Sequence, residues 1–456
     1  MSESSARVAE TTAARPVRVL LIAEAANPEW VSVPLVGWSC AAALREVADV
    51  HVVTHVRNRD ALCRAGWIEG TDFTAIDSEA VAGPLYRLAS LLRGGRGKGW
   101  STMTAFAAIA YYYFEHLVWR RFGRDLRAGR YDVVHRLTPL SPAVPSLIAR
   151  RCRRVSVPFV VGPLNGGVPW PAAFRREQHR EREWLSAFRN LSRLLPGARS
   201  MRREASAIIA GSTTMLDDLT AEQRTRAYFV PENAVDAARF TEIRTRRASS
   251  PVHAVFVGRL VPLKGVDMLL EAAAPLVRAG RLTVDLVGDG PERGPLALLA
   301  DRENIAGGVT FSGWVDHADV QRHLASADLF AFPSIKEFGG GAVLEAMAVG
   351  LPALVMNYGG PADLVDDETG YRIDMGTRSE IVGRLRETLG AIVDDPAGLD
   401  RRGQVARERV WRDFTWPAKA RRLLEIYRSV LPERDETSHR ARFAPSVDEC
   451  AMVEAA

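Results

Sequence analysis

This chain of 456 residues is poor in cysteine and has no long apolar run, and both absences exclude classes of protein. No stretch approaches the ~18 consecutive apolar residues of a membrane-spanning helix. The N-terminal lead carries acidic side chains and no apolar core, so it is not typical of a secretory signal. The four cysteines are far apart, without the paired spacings of a zinc site or a disulfide framework. We therefore expect a cytoplasmic protein with ordinary thiols.

Lysine is also scarce: among 60 basic side chains only Lys98, Lys264, Lys336 and Lys419 are lysines. The net charge of +5 and the isoelectric point of about 9.1 allow attraction to nucleic acid or to anionic lipid. No zinc-finger spacing, RNP-like strand or heptad basic region accompanies this charge, so we expect no nucleic-acid partner. Because arginine supplies nearly all the positive charge, a lysine inside a motif is a stronger signal than usual.

Strand-like and helix-like segments alternate along the chain, as in parallel sheets covered by helices on both faces. The length suits two domains. The predicted fold is α/β, with two Rossmann-like, doubly wound parallel sheets. The predicted boundaries are a disordered lead at 1–15, an N-terminal domain at 16–235, a crossing segment at 236–250, a C-terminal domain at 251–410, a closing helix at 411–431 and a disordered tail at 432–456.

The most informative motif is Glu337-Phe-Gly-Gly-Gly-Ala-Val-Leu-Glu345, which follows a strand-like apolar segment. The glycines Gly339, Gly340 and Gly341 predict a loop that enters a helix, where main-chain N–H groups and the helix dipole favour an anion. The two carboxylates would lie before the helix and about a turn inside it, within reach of hydroxyl groups on both sides of a diphosphate. The alternative is a solvated glutamate at a helix start beside a flexible loop.

A second motif places two cations in the loop after another apolar strand, in the segment 255–265. Arg259 offers a planar fork of donors and Lys264 a compact point charge. Together they can neutralise the charge that builds on a departing nucleoside diphosphate. The alternative for each is a surface cation, and for Lys336 we prefer that alternative.

These pieces resemble the C-terminal domain of family 4 glycosyltransferases with the GT-B fold, over about residues 252–373. The matching pieces stand in the family's order: Gly258-Arg-Leu with Lys264-Gly265, Gly288-Asp-Gly-Pro291, Phe311-Ser-Gly313, Pro333-Ser334, Glu337 to Glu345 and Gly359-Gly-Pro361.

The resemblance implies two domains that face each other across a cleft, a final helix that crosses back to the first domain, and retaining transfer of a sugar from a nucleotide donor. Arg259 and Lys264 would bind the diphosphate, Glu337 the sugar hydroxyls and Glu345 the ribose. The remaining implied donor contacts are Gly258, Trp314, Val315, Phe338 and the three glycines that follow it. In the family a glycine usually precedes the phenylalanine, whereas here Phe338 precedes Gly339. The resemblance therefore does not predict the shape of the sugar-facing loop.

Candidates in the N-terminal half are sought in loops at the carboxyl ends of strands, where parallel sheets collect ligands. Gly37 is predicted in the loop after the first strand, where a backbone without side chain can approach donor phosphates. His135 would stand at the cleft edge and bond a sugar hydroxyl or an acceptor. Asn165 and Gly166, in a glycine-rich loop, would border the acceptor. The alternatives are an ordinary turn glycine, a structural histidine and a plain turn.

The segment 86–127 mixes arginines with aromatic and apolar residues. Such a pattern can lie on a membrane surface, which would put the protein at the inner face of the cell membrane. The alternative is a core-packed helix with a solvated basic face.

The resemblance implies a glycan, lipid-linked or small-molecule acceptor. We expect no cofactor and no metal, because no Asp-x-Asp pair is placed near the phosphates. Alternatives on the same fold are a sugar-nucleotide epimerase, a pseudo-glycosyltransferase and a non-catalytic partner subunit. A nicotinamide-dependent oxidoreductase is a weaker alternative, since no Gly-x-Gly-x-x-Gly opens a helix after the first strand.

Overall fold

The computed structural model describes residues 15–92, 100–166, 168–175, 178, 195–245, 248 and 250–432, without the side chains of 86–107 and 317–318. Lys98 and nearly all of the predicted lead and tail lie outside the described residues.

The N-terminal domain is built on a seven-stranded parallel sheet with the order β3-β2-β1-β4-β5-β6-β7. Its strands are β1 Arg18–Ala23, β2 Asp49–His55, β3 Phe73–Ile76, β4 Val133–Thr138, β5 Phe159–Leu164, β6 Ala207–Ala210 and β7 Ala227–Phe229. The central strands are nearly continuous apolar runs because both of their faces are buried.

The C-terminal domain is built on a six-stranded parallel sheet with the order β10-β9-β8-β11-β12-β13. Its strands are β8 Val252–Val257, β9 Leu282–Val287, β10 Val309–Gly313, β11 Leu329–Phe332, β12 Ala353–Met356 and β13 Gly370–Ile373. Two parallel α/β sheets confirm the predicted fold class.

Helices connect the strands and cover both faces of each sheet. Those of the N-terminal domain are α1 Val33–Arg45, α2 Arg59–Arg64, α3 Glu79–Leu92, α4 Trp100–Arg127, α5 Ile148–Arg154, α6 Ala198–Glu204, α7 Thr213–Asp217 and α8 Ala221–Arg224. Those that follow are α9 Val266–Arg278, α10 Arg293–Arg302, α11 His317–Ser326, α12 Gly341–Ala348, α13 Gly360–Leu364, α14 Arg378–Asp394, α15 Ala397–Asp413 and α16 Trp416–Val430.

The last helix, α16, packs on the N-terminal domain although it follows the C-terminal domain in sequence. Its Leu423 and Tyr427 are fully buried in the same apolar cluster as Val19 and Leu21 of β1. The link between the domains contacts the start of α16, because the Val235 main-chain N–H donates a hydrogen bond to the Phe414 carbonyl at 2.8 Å. The chain therefore crosses between the domains twice at one junction.

One local prediction is wrong: Gly37 does not lie in the loop after β1. The helix α1 begins at Val33, with Pro34 in its first turn, where the fixed φ of proline favours a helix start. Gly37 is consequently a buried helical residue, and a Cβ there would collide with the Ala25 carbonyl oxygen. Its lack of a side chain serves the contact between α1 and the β1–α1 loop.

Candidate functional site

Three loops meet at the carboxyl edge of the C-terminal sheet. They follow β8, β9 and β11, which are neighbours in the strand order. The carboxyl edge is where open parallel sheets bind ligands. The topology therefore brings together the segments 258–265, 288–291 and 333–341, which are far apart in sequence.

The first two loops fit together through their glycines. Main-chain hydrogen bonds of 3.0 Å run from Gly258 to Val287 and from Leu260 to Asp289. A Cβ on Gly288 or Gly290 would collide with a carbonyl oxygen of the first loop. This close approach presents Arg259 to solvent, and its guanidinium group has no partner among the described residues.

The third loop brings Glu337 to Lys264. The Lys264 ammonium group forms an ion pair with the Glu337 carboxylate, and it lies 4.6 Å from the centroid of the Phe332 ring. The loops are held in register by Ile335, whose N–H donates to the Leu263 carbonyl at 3.0 Å. Two of the predicted donor-binding residues are thus in direct contact, and Arg259 precedes one of them on the same loop.

Helix α12 begins at Gly341, directly after the glycine run. Gly340 has φ 63°, a left-handed conformation that favours glycine. Glu345 is half-buried and lies on the helix, while Glu337 precedes it. The two carboxylates therefore flank the helix start, in the arrangement that the spacing predicts.

Lys336 lies between Phe338 and Trp170, which belongs to the N-terminal half of the chain. The Lys336 ammonium group lies 4.7 Å from the Trp170 ring centroid and 5.6 Å from that of Phe338. Lys336 is buried, so the prediction of a surface cation is wrong for this residue. Its charge is placed against two aromatic faces, a geometry that stabilises a cation.

Sequence reasoning missed Glu232, which lies in the segment between the domains. A Cβ on Gly339 would collide with the Glu232 carboxyl group and with the Asn233 amide. Burial raises the pKa of Glu232, while Asn165 and Lys419 oppose the rise. The available signal was a single carboxylate directly after the apolar run Phe229-Val230-Pro231.

Asn165 and Gly166 lie at the carboxyl end of β5, beside Glu232. The Asn165 side chain is buried, and its Oδ1 accepts a hydrogen bond from the Gly166 N–H at 2.8 Å. Gly166 has φ 124°, which few residues other than glycine adopt. The predicted acceptor loop therefore lies next to the predicted donor loop.

Direct hydrogen bonds also join the two domains around these loops. The Tyr358 hydroxyl donates to the Pro169 carbonyl at 2.7 Å. The Thr213 N–H and hydroxyl both donate to the Asp363 carboxylate, at 2.8 and 2.5 Å. The domains face each other with the third loop of the C-terminal sheet at their interface.

His135 does not stand at the cleft edge, so that prediction is corrected. It is fully buried, with Nδ1 2.6 Å from the Tyr427 hydroxyl and Nε2 2.7 Å from the Gly162 carbonyl. Burial lowers the pKa of His135 to about 4, with the Gly162 carbonyl opposing the shift. Both ring nitrogens are engaged inside the fold, between β4, β5 and α16.

Trp314 and Val315 follow β10, at the outer edge of the C-terminal sheet. The Trp314 side chain is 75% exposed, and Val315 packs partly against the core. An aromatic face so exposed is available for stacking on a flat ligand.

Among the described residues, no three His, Cys, Asp or Glu side chains are grouped so that they could hold a metal ion. Within the same residues, no helix combines the length and apolar character that crossing a membrane requires.

Residues 241–391 match the family model described as "Glycosyl transferases group 1". A glycogen synthase of Mycobacterium tuberculosis is 30% identical over 259 residues, which are 55% of this chain and 60% of that protein. A GDP-mannose-dependent monoacylated alpha-(1-6)-phosphatidylinositol monomannoside mannosyltransferase of Corynebacterium glutamicum is 34% identical over 38% of this chain and 45% of its own. The matches thus span 60% or less of the length of these relatives.

Solved structures show the same fold over nearly the whole chain. Anabaena Alr3699/HepE in complex with UDP has a TM-score of 0.56 at 16% identity, covering 91% of this chain and 100% of its own. The sucrose-phosphate synthase of Thermosynechococcus elongatus has a TM-score of 0.55 at 18% identity, covering 91% and 99%. Likeness at this identity shows the fold alone, which is GT-B.

Proposed function

We propose that this chain, whose residues 241–391 belong to the group 1 glycosyl transferases, transfers a sugar from a nucleotide-diphosphate donor to an acceptor with retention at the anomeric carbon. The observation that carries the proposal is the convergence of Arg259, Lys264 and Glu337 at the carboxyl ends of adjacent strands. Two cations and a carboxylate at the start of α12 fit a diphosphate and the hydroxyl-bearing sugar attached to it.

In this transfer reaction the main catalytic task of the protein is to stabilise the leaving nucleoside diphosphate. As the bond to the sugar breaks, negative charge grows on the diphosphate, and preorganised cations stabilise that charge most strongly in the transition state. Arg259 and Lys264 perform this role, while Glu337 holds the sugar hydroxyls and Glu345 the ribose. The departing diphosphate accepts the proton of the acceptor hydroxyl, so no strong general base is required of the protein.

The base of the nucleotide is expected beside Trp314 and Val315, and no metal is needed for transfer. The acceptor is a glycan, a lipid-linked sugar or a small molecule that enters from the side of Asn165 and Gly166. The protein acts in the cytoplasm, and the mixture of arginine and aromatic residues at 86–127 supports contact with the inner membrane face.

Calorimetry with UDP, GDP, ADP and TDP tests the donor site. At least one should bind, and Arg259→Ala should weaken that binding at least tenfold, because a charge-assisted contact is worth about 1.5–3 kcal/mol. The exposed Arg322, on helix α11, gives the control Arg322→Ala, which should bind like the wild type. Absence of binding by all four nucleotides contradicts the proposal.

Product analysis separates transfer from the alternatives on this fold. A transferase releases nucleoside diphosphate from the nucleotide sugar only when an acceptor is present. An epimerase changes the sugar without releasing it, and a non-catalytic subunit binds without either reaction.

A further inference from the structure

A short segment of the N-terminal domain, residues 168–174, lies on the C-terminal domain, and we call it the strap. It follows the loop that contains Asn165 and Gly166. Phe174 is 2% exposed and belongs to the apolar core of the C-terminal domain, against which Trp170 also packs. The two aromatic side chains of the strap are thus packed by the other domain.

Phe174 lies beside both of the loops that carry the ion pair of the candidate site. It lines a small cavity together with Pro262 and Ile335. Pro262 begins the turn that ends at Lys264, and Ile335 precedes Glu337 by two residues. One side chain of the N-terminal domain therefore packs between the supports of both charges.

Trp170 contacts the residue directly before Glu337. The Lys336 ammonium group lies 4.7 Å from the Trp170 ring centroid, and Lys336 is 7% exposed. A cation over an aromatic face is attracted more strongly when water is excluded from the contact. Trp170 therefore restrains Lys336, and through the main chain it restrains the residue that follows.

The beginning of the strap contacts residues that pack on the main chain of Glu337. The Glu337 carbonyl accepts a hydrogen bond from the Gly360 N–H at 3.2 Å. A Cβ on Gly359 would lie 2.3 Å from the same carbonyl oxygen and 3.8 Å from the buried Val168 side chain. The Tyr358 hydroxyl donates to a carbonyl of the strap at 2.7 Å. The strap thus touches the neighbours of Glu337 both in sequence and in space.

We propose that the strap positions Glu337 for the donor sugar and that Trp170 is a positioning residue for that carboxylate; this deepens the proposed function and rests on it. A carboxylate that is already held in place loses less conformational freedom when a sugar hydroxyl binds to it. The carboxylate that we assign to the donor sugar is thus held by the domain that we assign to the acceptor. Contact between the domains at the strap completes the sugar site.

The diphosphate contact depends on the strap to a smaller degree. The loop that carries Arg259 is held inside the C-terminal domain, where the Leu260 N–H donates to the Asp289 carbonyl at 3.0 Å. Loosening the strap should therefore weaken binding of the sugar moiety and spare binding of the nucleoside diphosphate. This selectivity distinguishes a positioning role from general damage to the fold.

Calorimetry with UDP-glucose, GDP-mannose, ADP-glucose and TDP-glucose, each compared with its free nucleoside diphosphate, tests the proposal. Trp170→Leu should weaken the nucleotide sugar that the wild type binds about tenfold, as expected when one hydrogen bond to a charged group is lost. The affinity for the matching nucleoside diphosphate should not change. Trp170→Phe keeps an aromatic ring beside Lys336 and should restore most of the lost affinity.

The matched control is Trp67→Leu. Trp67 is a buried indole of the N-terminal domain, and the Arg45 guanidinium carbon lies 4.4 Å from its ring centroid. The control therefore removes a similar contact between an indole and a cation, away from the strap. It should bind both kinds of ligand like the wild type.

A double-mutant cycle shows whether Trp170 acts through Glu337. Glu337→Gln should weaken the nucleotide sugar by itself. If Trp170 acts by placing this carboxylate, adding Trp170→Leu to Glu337→Gln should cause no further loss, because coupled residues are not additive. Additive losses would mean that Trp170 acts elsewhere, which overturns the proposal.

Hydrogen exchange without ligand gives an independent readout. Trp170→Leu should speed the exchange of main-chain amides in residues 335–341, because local opening there becomes easier, whereas Trp67→Leu should not. Unchanged exchange, unchanged affinity for the nucleotide sugar, or an equal loss for the nucleoside diphosphate overturns the proposal. When the wild type binds a nucleotide sugar and Trp170→Leu binds it equally well, only the strap fails. When the wild type binds no nucleotide sugar and no nucleoside diphosphate, the proposed function itself fails.

Discussion

The Lys264 ammonium group donates a hydrogen bond to the Glu337 carboxylate across 73 residues of sequence. The exposed fractions of the two side chains are 16% and 21%, so both are partly accessible to a ligand. A diphosphate bound there would share the lysine with the glutamate, and the glutamate would in turn be free to accept from sugar hydroxyls. The pair thus couples the predicted phosphate and sugar contacts.

Replacing Lys264 with alanine should lower turnover at least tenfold and leave the fold intact. The lysine stabilises the leaving diphosphate, and loss of one such preorganised donor costs ~2–4 kcal/mol of transition-state stabilisation. Initial rates of nucleoside diphosphate release measure the effect, and circular dichroism checks the fold. Turnover close to that of the wild type would refute the assignment of Lys264.

Gly290→Ala should destabilise the protein and weaken nucleotide binding together. The added methyl group collides with the Leu260 carbonyl, so the loop that carries Arg259 must move, at a cost of about 1–3 kcal/mol. The matched control is Gly383→Ala at an exposed position in the interior of α14, where the new Cβ would meet no side chain and no other segment of the chain within 4 Å. That change should instead stabilise the helix by about 0.5–1 kcal/mol. Urea unfolding and nucleotide calorimetry would test both, and an equal response of the two variants would contradict the packing argument.

His135 should make the protein less stable as the pH falls below neutrality. Burial lowers the pKa of His135 from 6.5 to about 4, so between these values the unfolded chain binds a proton that the folded protein excludes. Stability is therefore lost as the pH falls through this window, by about 2 kcal/mol between pH 7 and pH 5. Urea unfolding of His135→Gln should show a pH dependence smaller by that amount.

The exposed His116 provides the control for this measurement. His116→Gln should keep the pH dependence of the wild type. If the free energy of unfolding of His135→Gln varied with pH as much as that of the wild type, His135 would be protonated in the folded protein, contrary to its buried contacts.

Lys419→Met should loosen the junction between the domains. The Lys419 ammonium group donates to the main-chain carbonyls of Glu232 and Asn233, at 2.6 and 3.0 Å, and burial lowers its pKa to about 8. Methionine keeps much of the length of the side chain but leaves both carbonyls without this donor, so we expect a loss of about 1–3 kcal/mol. Thermal unfolding measures it, with Arg422→Met on the exposed face of α16 as the control. A Tm equal to that of the control would exclude a role for Lys419 at the junction.

The sequence by itself predicted the two parallel sheets and the loops that we propose as the donor site. Apolar runs such as 252–257 indicate strands buried on both faces, and the glycines of 339–341 indicate a loop that enters a helix. These are local signals, because the side chains that define them are neighbours in the chain. The pairing of Lys264 with Glu337 follows almost directly, since both lie on loops at the carboxyl ends of adjacent strands.

Other features were decided only by the tertiary structure. Whether His135 faces a cleft or Tyr427 depends on where α16 packs, 292 residues later in the chain. Glu232 becomes part of the site only because the link between the domains lies against Gly339. Local patterns specify strands and loops, but burial and the pairing of polar groups depend on which distant segments come into contact.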